Sequence, residues 1–245
     1  MRGAIFDLDG TLADTAADLL AAANAVLGPR GLPLLDPVRD RAVAGRGGRA
    51  MIRQALARLD APPPDTEVEA IADALYPEFL AVYEAGLDRE SRLFEGAREC
   101  LEALAAAGWR LGVCTNKPER LALMLLERLG VLGMFGAVLG ADSLAVRKPD
   151  PTHFRETARR AGAAPERSVM LGDTRADLEC ARRAGVPCVL VRFGFAAEPL
   201  ETLAPDAVAE RFDEIPGLLD RLAPPPGASG QGPAAPLDLA ARRRI

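Results

Sequence analysis

Two aspartates one residue apart, in Asp7-Leu8-Asp9-Gly10-Thr11, are the first side chains along the sequence that could do chemistry. The apolar run Ala4-Ile5-Phe6 before them reads as a strand. Period-two alternation then turns Asp7 and Asp9 to one side and Leu8 to the other. Gly10 lets the backbone turn without interference from a Cβ, and Thr11 brings a hydroxyl beside the carboxylates. Carboxylates this close repel each other unless positive charge lies near, and a hard divalent cation with oxygen ligands is the usual answer. Alone, the stretch reads equally well as an acidic turn or as a helix capped at Asp14.

Further polar groups recur downstream, each just after an apolar run: Thr115-Asn116, then Arg147-Lys148-Pro149-Asp150, then Gly172-Asp173-Thr174 with Asp177 one helical turn on. Each has a plainer reading by itself: Thr115-Asn116 or Asp173-Thr174 as helix caps, Lys148 as a solvated loop lysine, Asp177 as a surface charge. Their coincidence at successive strand ends argues otherwise.

The elements that must position these groups follow from periodicity. Helical spacing covers Ala13 to Leu27, ended by Gly28-Pro29-Arg30-Gly31. From there to about Asp88 the pattern is wholly helical, with pieces at 38–43, 49–59 and 68–85 and a break at Pro62-Pro63-Pro64. From Phe94 onward, helices and strands alternate. The expected helices are 97–107, 119–129, 151–161, 175–184 and 215–222, and the expected strands are 109–115, 137–141, 168–171 and 186–191, with an edge strand at 207–209. Alternation of this length implies right-handed βαβ units and a parallel sheet covered on both faces, with ligands outside the carboxyl ends of its strands. The expected architecture is α/β: a doubly wound, Rossmann-like parallel-sheet core (1–14 and 91–222) with an inserted α-helical cap (15–90). The Pro/Gly-rich tail (223–245) is expected to be disordered.

The set Asp7-Leu8-Asp9-Gly10-Thr11, Thr115-Asn116, Lys148-Pro149 and Gly172-Asp173 with Asp177 resembles, in order, the four motifs of the haloacid dehalogenase-like hydrolase superfamily. The helical insertion resembles that superfamily's cap. The resemblance implies that Asp7 is a nucleophile forming an aspartyl-phosphate and that Asp9 is the general acid and base. It further implies Mg²⁺ on the Asp7 carboxylate, the Asp9 backbone carbonyl and Asp173, with Asp177 orienting the metal's water. Thr115, Asn116 and Lys148 would grip the phosphoryl oxygens. An aspartate at position 9 argues against halide displacement, which needs no protonated leaving group.

The loop Ala44-Gly45-Arg46-Gly47-Gly48-Arg49 resembles the Gly-rich specificity loop of bacterial phosphoglycolate phosphatases. Val191-Arg192-Phe193-Gly194 and Pro205-Asp206-Ala207 fit that subgroup too. The implied substrate is 2-phosphoglycolate, its carboxylate near Arg46 or Arg49, although the glycines would serve equally to start a cap helix. Pyrophosphatases, sugar-phosphate phosphatases and β-phosphoglucomutases share the core motifs. A phospho-acceptor domain resembling two-component receivers is an alternative of another class, though receivers are about half this length.

Bulk properties narrow the field. The 245 residues are 49% hydrophobic and 27% charged, enough for a core and a polar surface, and aromatics are scarce at 4%. A net charge of -5 offers no footprint for nucleic acid, and no apolar stretch is long enough to span a membrane. Arg159-Arg160 and Arg182-Arg183 read as helix-face charges. Met1 stands almost directly before the first strand, which leaves no room for a cleavable leader. Cys100, Cys114, Cys180 and Cys188 lack C-x-x-C spacing and read as buried thiols of a cytoplasmic protein. The expected partner is a small phosphorylated metabolite bound by a monomer or homodimer. The one histidine, His153, near a helix start, is expected to be solvated or capping rather than a general base.

Overall fold

Four consecutive buried residues, Gly3–Phe6, form strand β1, as expected of a strand covered on both faces. A computed structural model of the chain describes residues 1–196 and 198–223, so the tail predicted to be disordered lies, apart from Ala223, outside the described residues. In chain order the other elements are β2 (Ala13–Asp14), α1 (Ala16–Leu27), α2 (Arg41–Ala44), α3 (Gly48–Leu56), α4 (Asp65–Ala85), β3 (Arg92–Leu93), α5 (Ala97–Ala106), β4 (Arg110–Cys114), α6 (Glu119–Arg128), β5 (Ala137–Leu139), α7 (Pro151–Arg160), β6 (Ser168–Gly172), α8 (Arg175–Ala184), β7 (Cys188–Val191), α9 (Leu200–Leu203), β8 (Ala207–Ala209) and α10 (Ile215–Leu222).

Six strands make one sheet in the order β5-β4-β1-β6-β7-β8, with every neighbouring pair parallel. Side-chain alternation divides its core in two. Ala4, Phe6, Val169, Leu171, Val189 and Val191 share one cluster with Leu101 and Leu104 of α5 and Leu219 of α10. Ile5, Met170, Cys188 and Leu190 share the other with Phe154 of α7 and Leu178 of α8. The sheet is therefore doubly wound, as the βαβ alternation predicts. The chain lays β4 and β5 to one side of β1, then crosses to lay β6, β7 and β8 on the other. That reversal opens a crevice at the carboxyl ends of β4, β1 and β6, where ligands of such sheets bind.

Between β2 and β3 every regular element is a helix. The buried residues Ala72, Leu75, Phe79 and Tyr83 form one stripe of α4, the 3.6-residue periodicity of an amphipathic helix, and α4 packs on α1 and α3. Gly48 begins α3 where a Cβ would come 2.4 Å from the Phe79 ring. The insertion is pinned where it returns to the sheet domain. Buried Asp18, in the first turn of α1, accepts hydrogen bonds from the Glu90 N–H, the Ser91 N–H and the Ser91 hydroxyl.

Several boundaries differ from expectation. Ala13–Asp14 is not helical but pairs antiparallel with Arg92–Leu93, closing a ribbon at the neck of the insertion; two-residue strands leave no periodic trace in a sequence. The piece expected at 38–43 starts only at Arg41, because Asp36 Oδ1 accepts from the N–H groups of Val38 and Arg39 and holds an Asx turn there. Helix α4 starts at Asp65, with Asp65 and Glu67 favouring its first turn.

Candidate active site

Asp7 leaves β1 with its N–H still in the ladder, 2.8 Å from the Leu171 carbonyl. Its Oδ1 accepts from the Leu8 N–H at 2.7 Å and lies 2.9 Å from Lys148 Nζ. Lys148 Nζ also bonds Asp177 Oδ1 at 2.6 Å. Asp177 Oδ2 accepts from the N–H and hydroxyl of Thr174 in the capping box that starts α8. Asp173 is held by the Thr11 hydroxyl at 3.0 Å and the Phe195 N–H at 2.7 Å. Gly10 is required here: its φ is 81°, and a Cβ would fall 2.3 Å from Asp173 Oδ2.

The result is one buried ammonium facing three buried carboxylates, Asp7, Asp173 and Asp177, whose ligand atoms lie within 4.8 Å of one another. Burial pushes the Asp7 carboxyl up to about 6, with Lys148 restraining the rise and Asp177 adding to it. Burial, then the Asp177 and Asp7 charges, raise Asp173 well above the carboxylate range. Burial opposes the Lys148 charge, yet Asp177 and Asp7 hold its ammonium well above the lysine range. Three carboxylates thus share one ammonium.

Asp9 stands apart from that cluster. Its Oδ1 accepts from the Thr15 hydroxyl at 2.7 Å, and Lys117 Nζ lies 3.0 and 3.2 Å from its two oxygens. The same Nζ donates to the Tyr83 hydroxyl of α4 at 2.6 Å. Burial pushes the Tyr83 phenol up to about 12, with Lys117 opposing. Burial likewise opposes the Lys117 charge, which Asp9 and Tyr83 sustain. Lys117, Tyr83 and Thr15 were missed from sequence. The available signal was adjacency of Lys117 to Thr115-Asn116, but a lysine is by default solvated.

The other expected residues line or brace a cleft of about 760 Å³ between the strand ends and the helical insertion. Thr115 is buried and its hydroxyl accepts from the Lys117 N–H; Asn116 Nδ2 donates to the Lys148 carbonyl. Neither caps α6, whose first N–H is taken by Asp142. The Lys148–Pro149 peptide is cis. Arg46 is exposed in the cleft wall. Arg49 instead pairs with Asp73 at 2.5 Å and stacks on Tyr76, and Arg53 pairs with Glu69. His153 corrects expectation: it is fully buried, Asp150 caps α7 in its place, and neither ring nitrogen finds a partner among the described residues. Burial and the nearby Lys148 charge lower it to about 4, so it is neutral at pH 7. All four cysteines are buried and free, and among the described residues no helix is long and apolar enough to cross a membrane.

Comparison with known proteins follows the same lines. A family model of haloacid dehalogenase-like hydrolases matches residues 4–191. A phosphoglycolate phosphatase of Agrobacterium fabrum is 41% identical over 220 residues, covering 89% of this chain and 93% of that protein. One from Caulobacter vibrioides is 43% identical over 211 residues, covering 86% and 87%. The crystal structure of a predicted phosphoglycolate phosphatase from Haemophilus somnus superposes with a TM-score of 0.78 at 28% identity, over 88% of this chain and 96% of that one.

Proposed function

Because this chain belongs to the haloacid dehalogenase-like hydrolase family, we propose that it is a phosphatase that cleaves 2-phosphoglycolate to glycolate and phosphate through an aspartyl-phosphate on Asp7. The observation that carries the reading is the separation of two neighbouring carboxylates into unlike environments, which divides their labour. Asp7 has Oδ1 engaged by Leu8 and Lys148, leaving Oδ2 to attack phosphorus. Asp9, turned to Thr15 and Lys117, protonates the ester oxygen as glycolate leaves and then takes the proton of the attacking water.

Asp7, Asp173 and Asp177, with a single ammonium among them, suit a hard divalent cation, and Mg²⁺ is the ion we assign to Asp7, Asp173 and the Asp9 carbonyl. Asp177, bonded to Lys148 and Thr174, orients this group. Bound there, the cation offsets the repulsion between an anionic carboxylate and an anionic phosphoryl group. Lys148, Thr115 and Asn116 hold the phosphoryl oxygens. Residues 15–90 cap the cleft of a core formed by 1–14 and 91–222, and Arg46 draws the anionic substrate to its mouth.

Phosphate release tests the reading, with 2-phosphoglycolate beside pyrophosphate, β-glucose 1-phosphate and an aryl phosphate, for wild type and Asp7→Asn. Preference for phosphoglycolate, lost with EDTA and lowered on the order of 10⁴-fold or more by the substitution, is expected. Another preferred phosphate would replace the substrate, and full activity in Asp7→Asn would overturn the mechanism.

A further inference from the structure

We propose that Lys117, set in place by Tyr83, receives the carboxylate of an α-phosphooxy acid and so determines the enzyme's preference for it. The inference rests on the phosphoglycolate reading and adds a carboxylate subsite to it.

The first ground is the contact with Asp9. The carboxyl carbon of 2-phosphoglycolate is one methylene from the ester oxygen that Asp9 must reach. Whatever touches the Asp9 carboxylate therefore stands where the substrate carboxylate arrives. Two anions brought together there need a cation between them, and Lys117 Nζ, 3.0 Å from Asp9 Oδ1, is the cation in that position.

The second ground is donor capacity. An ammonium has three protons. Both Asp9 oxygens, at 3.0 and 3.2 Å, and the Tyr83 hydroxyl, at 2.6 Å, surround Lys117 Nζ, and the proton shared with the more distant Asp9 oxygen is the one a substrate carboxylate takes. Tyr83 accepts from Lys117 and so keeps its own hydroxyl proton to donate. Two buried donors at one point of the cleft wall match the two oxygens of a carboxylate. The other cations lining the cleft are paired or exposed: Lys148 with Asp7 and Asp177, Arg49 with Asp73, Arg53 with Glu69, Arg175 with Glu198, and Arg46 and Arg147 exposed to solvent.

Tyr83 belongs to α4 of the insertion and Lys117 to the loop after β4. The subsite is thus assembled from both halves of the molecule, and its occupation favours the arrangement in which they meet.

The test compares kcat/KM for 2-phosphoglycolate with that for 2-phosphoglycolamide, in which an uncharged amide replaces the carboxylate, in wild type, Lys117→Met, Lys117→Arg and Tyr83→Phe. Wild type should prefer the acid. Lys117→Met should lose about 100-fold more on the acid than on the amide, any loss through Asp9 falling on both, Lys117→Arg should recover part of the preference, and Tyr83→Phe should lose about tenfold on the acid, mainly through KM. A parallel loss on both esters in Lys117→Met would mean that Lys117 serves Asp9 alone, and would overturn the assignment. So would a preference that survives Lys117→Met. Should that variant not fold, an unchanged preference in Tyr83→Phe overturns it equally. Wild type that treats the two esters alike defeats the phosphoglycolate reading itself, whereas a wild-type preference insensitive to these substitutions defeats the subsite only.

Discussion

Two buried lysines face carboxylates in this cleft, and their surroundings differ in charge balance. Lys148 meets Asp7 and Asp177 with Asp173 beside them, so carboxyl groups outnumber ammonium three to one in a buried place. Lys117 meets Asp9 alone, with neutral Tyr83 and Thr15 completing the contacts. The first cluster sets three carboxylates against one ammonium, whereas the second sets one against one. Two aspartates one residue apart thus stand in unlike environments, because the chain surrounds each with a different set of partners.

The sharpest way to break this contrast is to remove each lysine. Lys148→Met leaves two buried carboxylates unpaired and should cost about 3–5 kcal/mol of unfolding free energy. Lys117→Met leaves a partly exposed Asp9 that still has Thr15, and should cost less. Urea unfolding of both variants in chelator measures the difference, and a larger loss for Lys117→Met would reverse the comparison.

A cation should act on the first cluster only. Mg²⁺ at about 100 times its dissociation constant should add about 2.7 kcal/mol to stability. That gain should vanish in Asp173→Asn and persist in Asp9→Asn, whose side chain turns away from the cluster. Thermal unfolding with and without Mg²⁺ reads this, and equal loss in both variants would show that the two sites are one.

The smallest effect concerns His153, a buried ring whose protonation burial and the Lys148 charge both oppose. Its folded value of about 4 lies below the ordinary 6.5, so between those values the unfolded chain binds the extra proton. Stability from the neutral ring is complete above about pH 6.5 and falls as pH drops towards 4. Between pH 7 and 5 wild type should lose about 2 kcal/mol more than His153→Leu. Denaturant midpoints at both values check this, and identical slopes would place a charged histidine in the fold.

Much of this arrangement is legible in the sequence. Strands such as Ser168–Gly172 and helices such as Arg175–Ala184 and Ile215–Leu222 lie where periodicity puts them, since each buries one regular face. The ribbon of Ala13–Asp14 with Arg92–Leu93 is not legible, because its pairing joins segments far apart and too short to carry a period. His153 misled because proximity to a helix start says nothing about which way a ring points.

By itself the sequence determined the parallel α/β sheet, the helical insertion and the presence of Asp7, Asp9, Lys148, Asp173 and Asp177 at its strand ends. These follow from local periodicity and from the rule that βαβ units share one rim. Only the tertiary structure decided which lysine meets which aspartate. Lys117 reaches Asp9 from a loop 108 positions on, and Tyr83 reaches Lys117 from a helix on the other side of the cleft. Such pairings depend on side-chain direction and on burial that removes water as a competitor, and neither is encoded in residue spacing.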